Sequence, residues 1–204
     1  CSTSCRVSKK NQPEPLRLLL LGTAGTSKTR AVQTALQEIQ RTLAAAGLSF
    51  DVDPRQFVRV AAPTGTAAFN LRFHATTVHR LIHWFTPPYF KTITDDKTLY
   101  ELQKQLRNTQ LVILDEVSMI GRQMMGRIDS RMEQAKGYQN ERNESLGGIS
   151  CVAVGDPAQC EAMHDQQIYN TAPHKATAQD GDKQHVQLSN RGLGVYGSFK
   201  YVIV

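Results

Sequence analysis

The chain has 204 residues, a net charge of +6, and 40% hydrophobic and 21% charged residues. That balance belongs to an average globular domain with a core of its own, and it excludes wholesale disorder. Apolar runs are as short as the leucines at 18–21, whereas a transmembrane helix needs about 20 apolar residues, so no membrane partner is expected. The cysteines Cys1, Cys5, Cys151 and Cys160 form no paired framework, which argues against a disulfide scaffold and a zinc site.

The charge is uneven. Residues 1–50 carry +5 and residues 51–100 carry +2, while 101–150 balance and 151–204 come to −1. A basic first half suits a polyanionic partner, nucleic acid or nucleotide phosphate, and equally suits a solvated surface.

Residues 1–12 read as a polar leader, with Lys9 and Lys10, and residues 13–204 as one domain. The apolar run at 16–21, ended by Gly22, predicts a buried strand. Val32, Ala35, Leu36, Ile39 and Leu43 then mark one face of an amphipathic helix from Lys28, with Gly47 as its stop. A second strand is expected at 57–61, a helix from Gly65 to Trp84, a loop over 86–96 and a polar helix over 100–107. Leu111-Val112-Ile113-Leu114 predicts the clearest buried strand. Met125, Ile128 and Met132 mark another helix, 137–147 a polar loop, 149–154 a strand and 202–204 a last strand. The stretch 160–183 shows little periodicity. Strands alternating with helices predict an α/β fold, a parallel sheet with helices on both faces.

Five segments carry chemistry. A strand, then Gly22-Thr23-Ala24-Gly25-Thr26-Ser27-Lys28-Thr29, then a helix is the setting of a phosphate-binding loop. Small residues let backbone N–H groups curl around phosphates, and the helix start adds partial positive charge. Lys28 reaches the terminal phosphates, and the Thr29 hydroxyl holds Mg²⁺. Ser27 stands where the pattern G-x-x-x-x-G-K-[ST] has its second glycine, adding a Cβ where the backbone must be permissive. Asp115-Glu116 follows the most hydrophobic strand. By itself the pair suits a helix cap as well as catalysis. With Lys28-Thr29 upstream, Asp115 is assigned to Mg²⁺ and Glu116 to the attacking water.

Gln159, in Gly155-Asp156-Pro157-Ala158-Gln159, is a candidate γ-phosphate sensor, although a turn explains that segment equally well. Ala62-Pro63-Thr64-Gly65-Thr66-Ala67-Ala68 and Thr76-Thr77-Val78-His79 are candidate contacts to a sugar-phosphate backbone, through Pro63, Thr64, Gly65, Thr66, Thr77 and His79.

Taken together, these segments resemble the first five motifs of superfamily-one DNA helicases. The forms Asp115-Glu116-Val117-Ser118-Met119 and Ala62-Pro63-Thr64-Gly65-Thr66-Ala67-Ala68 are similar to the Pif-one-type group. Gly155-Asp156-Pro157-Ala158-Gln159-Cys160 looks more like the helicases of Helitron-type transposons.

The resemblance implies a RecA-like P-loop NTPase domain using ATP and Mg²⁺. It also implies 5′-to-3′ movement on single-stranded or forked DNA, serving repair, recombination or telomere maintenance in the nucleus or mitochondrion, with the protein a monomer. It places a second RecA-like domain beyond residue 204, so the chain by itself is expected to be weakly active or inactive as an ATPase. Ser27 departs from the pattern, as does the segment after Gln159. The alternative is a transposon-derived remnant that binds nucleotide or DNA without turnover.

Overall fold

The structure is a computed structural model that describes residues 13–46, 56–85, 90–136, 139, 140, 142–172 and 183–204. The polar leader and the expected stop at Gly47 lie outside the described residues. Six strands form one sheet in the order β3-β2-β4-β5-β1-β6, with every neighbouring pair parallel. The strands are β1 (Arg17–Leu21), β2 (Val58–Ala62), β3 (Thr76–Thr77), β4 (Leu111–Leu114), β5 (Ser150–Gly155) and β6 (Tyr201–Ile203).

Helices cover both faces, as the alternating pattern predicts. Val112 and Leu114 of β4 point, with Leu19, Cys151 and Ala153, into a core shared with Leu102, Leu106, Met125, Ile128 and Met132. Those helical residues come from α4 (Asp96–Leu106) and α5 (Arg122–Lys136). Ile113 points the other way, with Val60, Ala62 and Val154, against Val32 and Leu36 of α1 (Lys28–Ala45) and Ala68 and Leu71 of α2 (Gly65–Leu71). A strand buried on both sides reads as a continuous apolar run, as β4 does. The α1 face is narrower than its periodicity suggested, since Ala35 is exposed.

The single helix expected from Gly65 to Trp84 is instead three elements. The first is α2, which ends where Arg72 turns to φ 58 and ψ −143. The others are β3 and α3 (Val78–Leu81). The β-branched pair Thr76-Thr77 favours extended backbone, and it pairs with Ala61 and Ala62 of β2. The Thr77 hydroxyl then accepts from the Arg80 amide, 3.4 Å away, and starts α3.

Helix α4 begins four residues ahead of the expected Tyr100. The Asp95 carboxylate caps it by accepting from the Thr98 amide (2.8 Å) and hydroxyl (2.6 Å). The expected loop at 137–147 carries a 3₁₀ turn, Ser145–Gly148.

A further helix, α6 (Lys183–Gly197), has no counterpart in the sequence reading. Gly192, Gly194 and Gly197 weaken its helical signal, and two glycines explain why it nevertheless packs. A Cβ on Gly126 would stand 2.0 Å from the Leu188 carbonyl oxygen, and one on Gly192 would stand 1.9 Å from that of Arg122. The α5–α6 backbones therefore touch at glycines. Among the described residues, no helix is long and apolar enough to cross a membrane.

Candidate functional site

Parallel strands bring all their C-terminal ends to one edge of the sheet, where α/β folds bind ligands. Leu21 of β1 lies level with Gly155 of β5, and the Gly22 amide continues the pairing to the Gly155 carbonyl at 3.2 Å. Leu114 of β4 lies level with Ala153 of β5. The segments at Gly22, Asp115 and Asp156 thus leave three adjacent strands side by side.

From β1 the chain enters the small-residue loop. Gly25 has φ +82, a conformation open to glycine. The Thr26 hydroxyl donates to the Thr23 carbonyl at 2.7 Å. Lys28 turns its ammonium back over the loop, donating to the carbonyls of Gly22 (2.6 Å) and Thr23 (2.8 Å). Ser27 sits at φ 60, ψ 23 with no side-chain cap, so a left-handed backbone carries a Cβ where the sequence pattern has glycine. Thr29, in the first turn of α1, is exposed.

Asp115 is 8% exposed, and its amide donates to the Ala61 carbonyl at 2.9 Å. Burial raises its carboxyl above the usual range, against the opposing pull of the Glu116 amide and the Lys28 charge. Glu116 is raised too, first by burial, then by repulsion from Asp115 and Asp156, with Lys28 opposing. Glu116 also has φ 52, ψ 47. A non-glycine residue held left-handed is found chiefly where the surrounding structure enforces it, often at functional sites.

Asp156, to which the sequence alone assigns no role, is a second buried carboxylate here, beside half-buried Glu116. Its Oδ1 accepts from the Ala158 amide (2.9 Å), and its carbonyl accepts from the Gln159 amide (3.1 Å). This turn fixes where Gln159, half-buried, leaves β5. The available signal was its position at a strand end beside the glycine of β5.

The chemistry of this donor set fits Mg²⁺. A buried carboxylate and a hydroxyl are hard oxygen donors, and a cation beside the Asp115 and Glu116 carboxyls would offset the burial that raises them. Among the described residues there is no grouping of three or more His, Cys, Asp or Glu side chains able to hold a metal alone. Mg²⁺ commonly takes one or two protein ligands and completes its shell with phosphate oxygens and water.

The second set of predicted residues lies at the sheet edge. Pro63 and Thr64 leave β2, and the Thr64 hydroxyl caps α2 by accepting from the Ala67 amide at 3.2 Å. Gly65 and Thr66 are exposed in the first turn of α2. Phe69, one turn after Thr66, is 83% exposed. Thr77 is committed to capping α3. His79 stacks on Trp84 (centroids 4.9 Å apart, planes 16°), and the Arg127 guanidinium lies 4.5 Å over the same indole. Burial, then the Arg127 charge, lowers the His79 pKa, so its ring is neutral at pH 7.

The family described as "AAA domain" matches residues 14–180. Among solved structures, unliganded Pif1 from Bacteroides is 26% identical with a TM-score of 0.51, covering 74% of this chain and 30% of that one. Pif1 helicase from Candida albicans is 23% identical with a TM-score of 0.51, covering 72% and 30%. A Pif1 helicase from work on DNA unwinding at forked double-stranded DNA is 24% identical with a TM-score of 0.52, covering 72% and 31%. The chain thus spans under a third of these proteins' length. No curated protein matches.

Proposed function

The chain belongs to the AAA-domain family and has the RecA-like fold of Pif1 helicases, and from that premise we propose that it is the nucleotide-hydrolysing part of a DNA helicase. One observation carries the reading: Lys28, Asp115, Glu116 and Asp156 meet at the ends of three adjacent parallel strands, so closely that each carboxyl of the Asp115-Glu116 pair feels the Lys28 charge.

The residues take distinct parts. The loop amides from Gly22 to Ser27 and the start of α1 bind ATP phosphates. Lys28 exchanges its bonds to the Gly22 and Thr23 carbonyls for bonds to phosphate oxygens. Thr29 and Asp115 would hold Mg²⁺, which supplies charge neutralisation on the transferring phosphoryl group. Glu116 orients the attacking water and accepts its proton at the side-chain carboxylate. Its raised pKa moves it toward the working pH, where a general base is most effective. Gln159, placed by the Asp156 turn, faces the γ-phosphate. Pro63, Thr64, Gly65, Thr66, Thr77 and His79 face the DNA strand.

Movement from 5′ to 3′, a role in repair, recombination or telomere maintenance, and a monomeric state belong to this proposal through the Pif-one-type likeness alone. Ser27 favours a second reading, in which nucleotide binds without turnover.

Release of phosphate from Mg²⁺–ATP, measured with and without single-stranded DNA, tests the proposal. Slow hydrolysis that rises with DNA is expected. Nucleotide binding without any release would favour the second reading, and absence of binding would overturn both.

A further inference from the structure

A pocket of about 320 Å³ opens at the far edge of the sheet, lined by Arg59, Phe73, His74, Arg80, His83, Phe85 and other residues. Strand β3 covers only Ala61 and Ala62 of β2, so the pocket stands beside the earlier part of that strand. Its strand is three strand spacings from β1, about 14 Å, and the pocket precedes Thr64 and Thr66 along β2. It belongs to neither site described above.

Its chemistry is one-sided. Two guanidiniums, two imidazoles and two phenyl rings meet there, and among the described residues no carboxylate lines it. Arg59 and His83 are anchored through Gln105: Arg59 donates to its carbonyl at 2.6 Å, and the His83 ring bonds to its side-chain oxygen at 2.7 Å. The side chains of Arg80 and His74 make no hydrogen bond or ion pair among the described residues. Phe85 is 65% exposed, with His83 tilted on it at 5.6 Å. Phe73 (φ 48), His74 (φ 56) and His83 (φ 48) all hold left-handed backbone without being glycine. Such backbone is strained for a residue with a side chain, so three on one pocket wall point to a shape the fold enforces.

Guanidiniums beside exposed aromatic faces, with no opposing acid, suit a ligand that is anionic at one end and flat at the other. The volume is at the lower end of the roughly 300–1,000 Å³ of small-ligand sites, which admits one such group and excludes a duplex. We propose that this pocket binds a single nucleotide unit, its phosphate on Arg80 and His74 and its base against Phe85.

The unit comes either from a single strand or from a free mononucleotide, and the test separates the two. An oligonucleotide carrying 5-iodouracil is photocrosslinked to the full chain, and tryptic peptides are mapped by mass spectrometry. Deoxyadenosine monophosphate is used as competitor. The expected result is crosslinking to peptides 73–80 and 81–91, reduced about tenfold in Phe85→Ala and reduced likewise in Arg80→Glu. Both side chains are exposed, and unchanged circular dichroism verifies the fold. Competition by millimolar mononucleotide, together with direct mononucleotide binding lost in the same variants, identifies the free nucleotide as the ligand and also supports the pocket. Crosslinks confined to the peptide spanning 60–72, unchanged in both variants, would overturn the pocket and leave the DNA-facing role of Thr64 and Thr66 standing. No crosslink and no mononucleotide binding would overturn both.

Discussion

The two ends of the β2–β4–β5–β1 layer solve opposite electrostatic problems. At the β1 side, buried Asp115 and Asp156 lie with half-buried Glu116, and burial pushes the Asp115 and Glu116 carboxyls up against the pull of the Lys28 charge. At the β2 side, arginines and histidines meet aromatic rings with no lining acid among the described residues. The first arrangement attracts a cation and, through it, a polyphosphate. The second attracts phosphate directly. On the proposed function, one small domain separates two anion-binding modes by about three strand spacings, and changes at one end should leave the other intact.

Lys28→Ala should give the largest effect. Removing a charge-assisted contact of roughly 1.5–3 kcal/mol weakens ATP binding by about ten- to a hundredfold. Calorimetry should record that loss while oligonucleotide affinity stays unchanged. Loss of both would join the two ends into one site.

Salt should act on the opposite end. With roughly three phosphates neutralised, single-strand affinity falls by about twentyfold between 50 and 200 mM salt. Fluorescence titration of a labelled oligonucleotide follows it, and a flat response would remove the cationic edge from the account. His79 should add nothing to that dependence between pH 7 and 8. Its folded-state pKa lies below the unfolded value of about 6.5, so the stability it contributes is complete above that value and is lost only as pH falls through the folded pKa.

Asp115→Asn should abolish the Mg²⁺ dependence of nucleotide binding while stabilising the fold by about 1 kcal/mol at pH 7. The sign follows from the raised carboxyl. Ionisation of Asp115 costs stability as pH rises through the folded pKa, and the penalty is absent below the unfolded value of about 3.9. The variant's advantage in thermal unfolding should therefore vanish near pH 4. An advantage that persisted there would mean the carboxylate is not the strained group.

Ser27→Gly should be the smallest change. Relieving one left-handed residue at φ 60 is worth roughly 1 kcal/mol, read as a higher unfolding temperature and a few-fold gain in ATP affinity. A loss of stability would show the serine to be doing something its backbone angle does not reveal.

The β1 end was the more legible in the sequence, and the reason is physical. A phosphate loop works through its backbone, so its sequence must be small and ordered in one way, and Gly22 to Thr29 announces itself even with Ser27 inside it. The structure gives the misplaced serine the positive φ that a glycine would occupy freely.

Asp156 was passed over because Gly-Asp-Pro describes a turn as well as a site. Its meaning comes from β5 lying between β1 and β4, a neighbour relation that no local pattern carries. The β2 end was less legible still. Arg72, Phe73 and His74 look like the continuation of a helix, and only their backbone angles and the pairing of Thr76-Thr77 with β2 break it. Helix α6 was invisible for a related reason: its glycines lower helix propensity locally and are needed for contact with α5.

The central claim is that the β1 end turns over nucleotide, and Glu116 separates turnover from binding. Glu116→Gln keeps the side-chain volume and removes the proton acceptor, so Mg²⁺–ATP should bind with unchanged affinity while single-strand-stimulated phosphate release falls to background. Equal release by Glu116→Gln and the parent chain would contradict the claim.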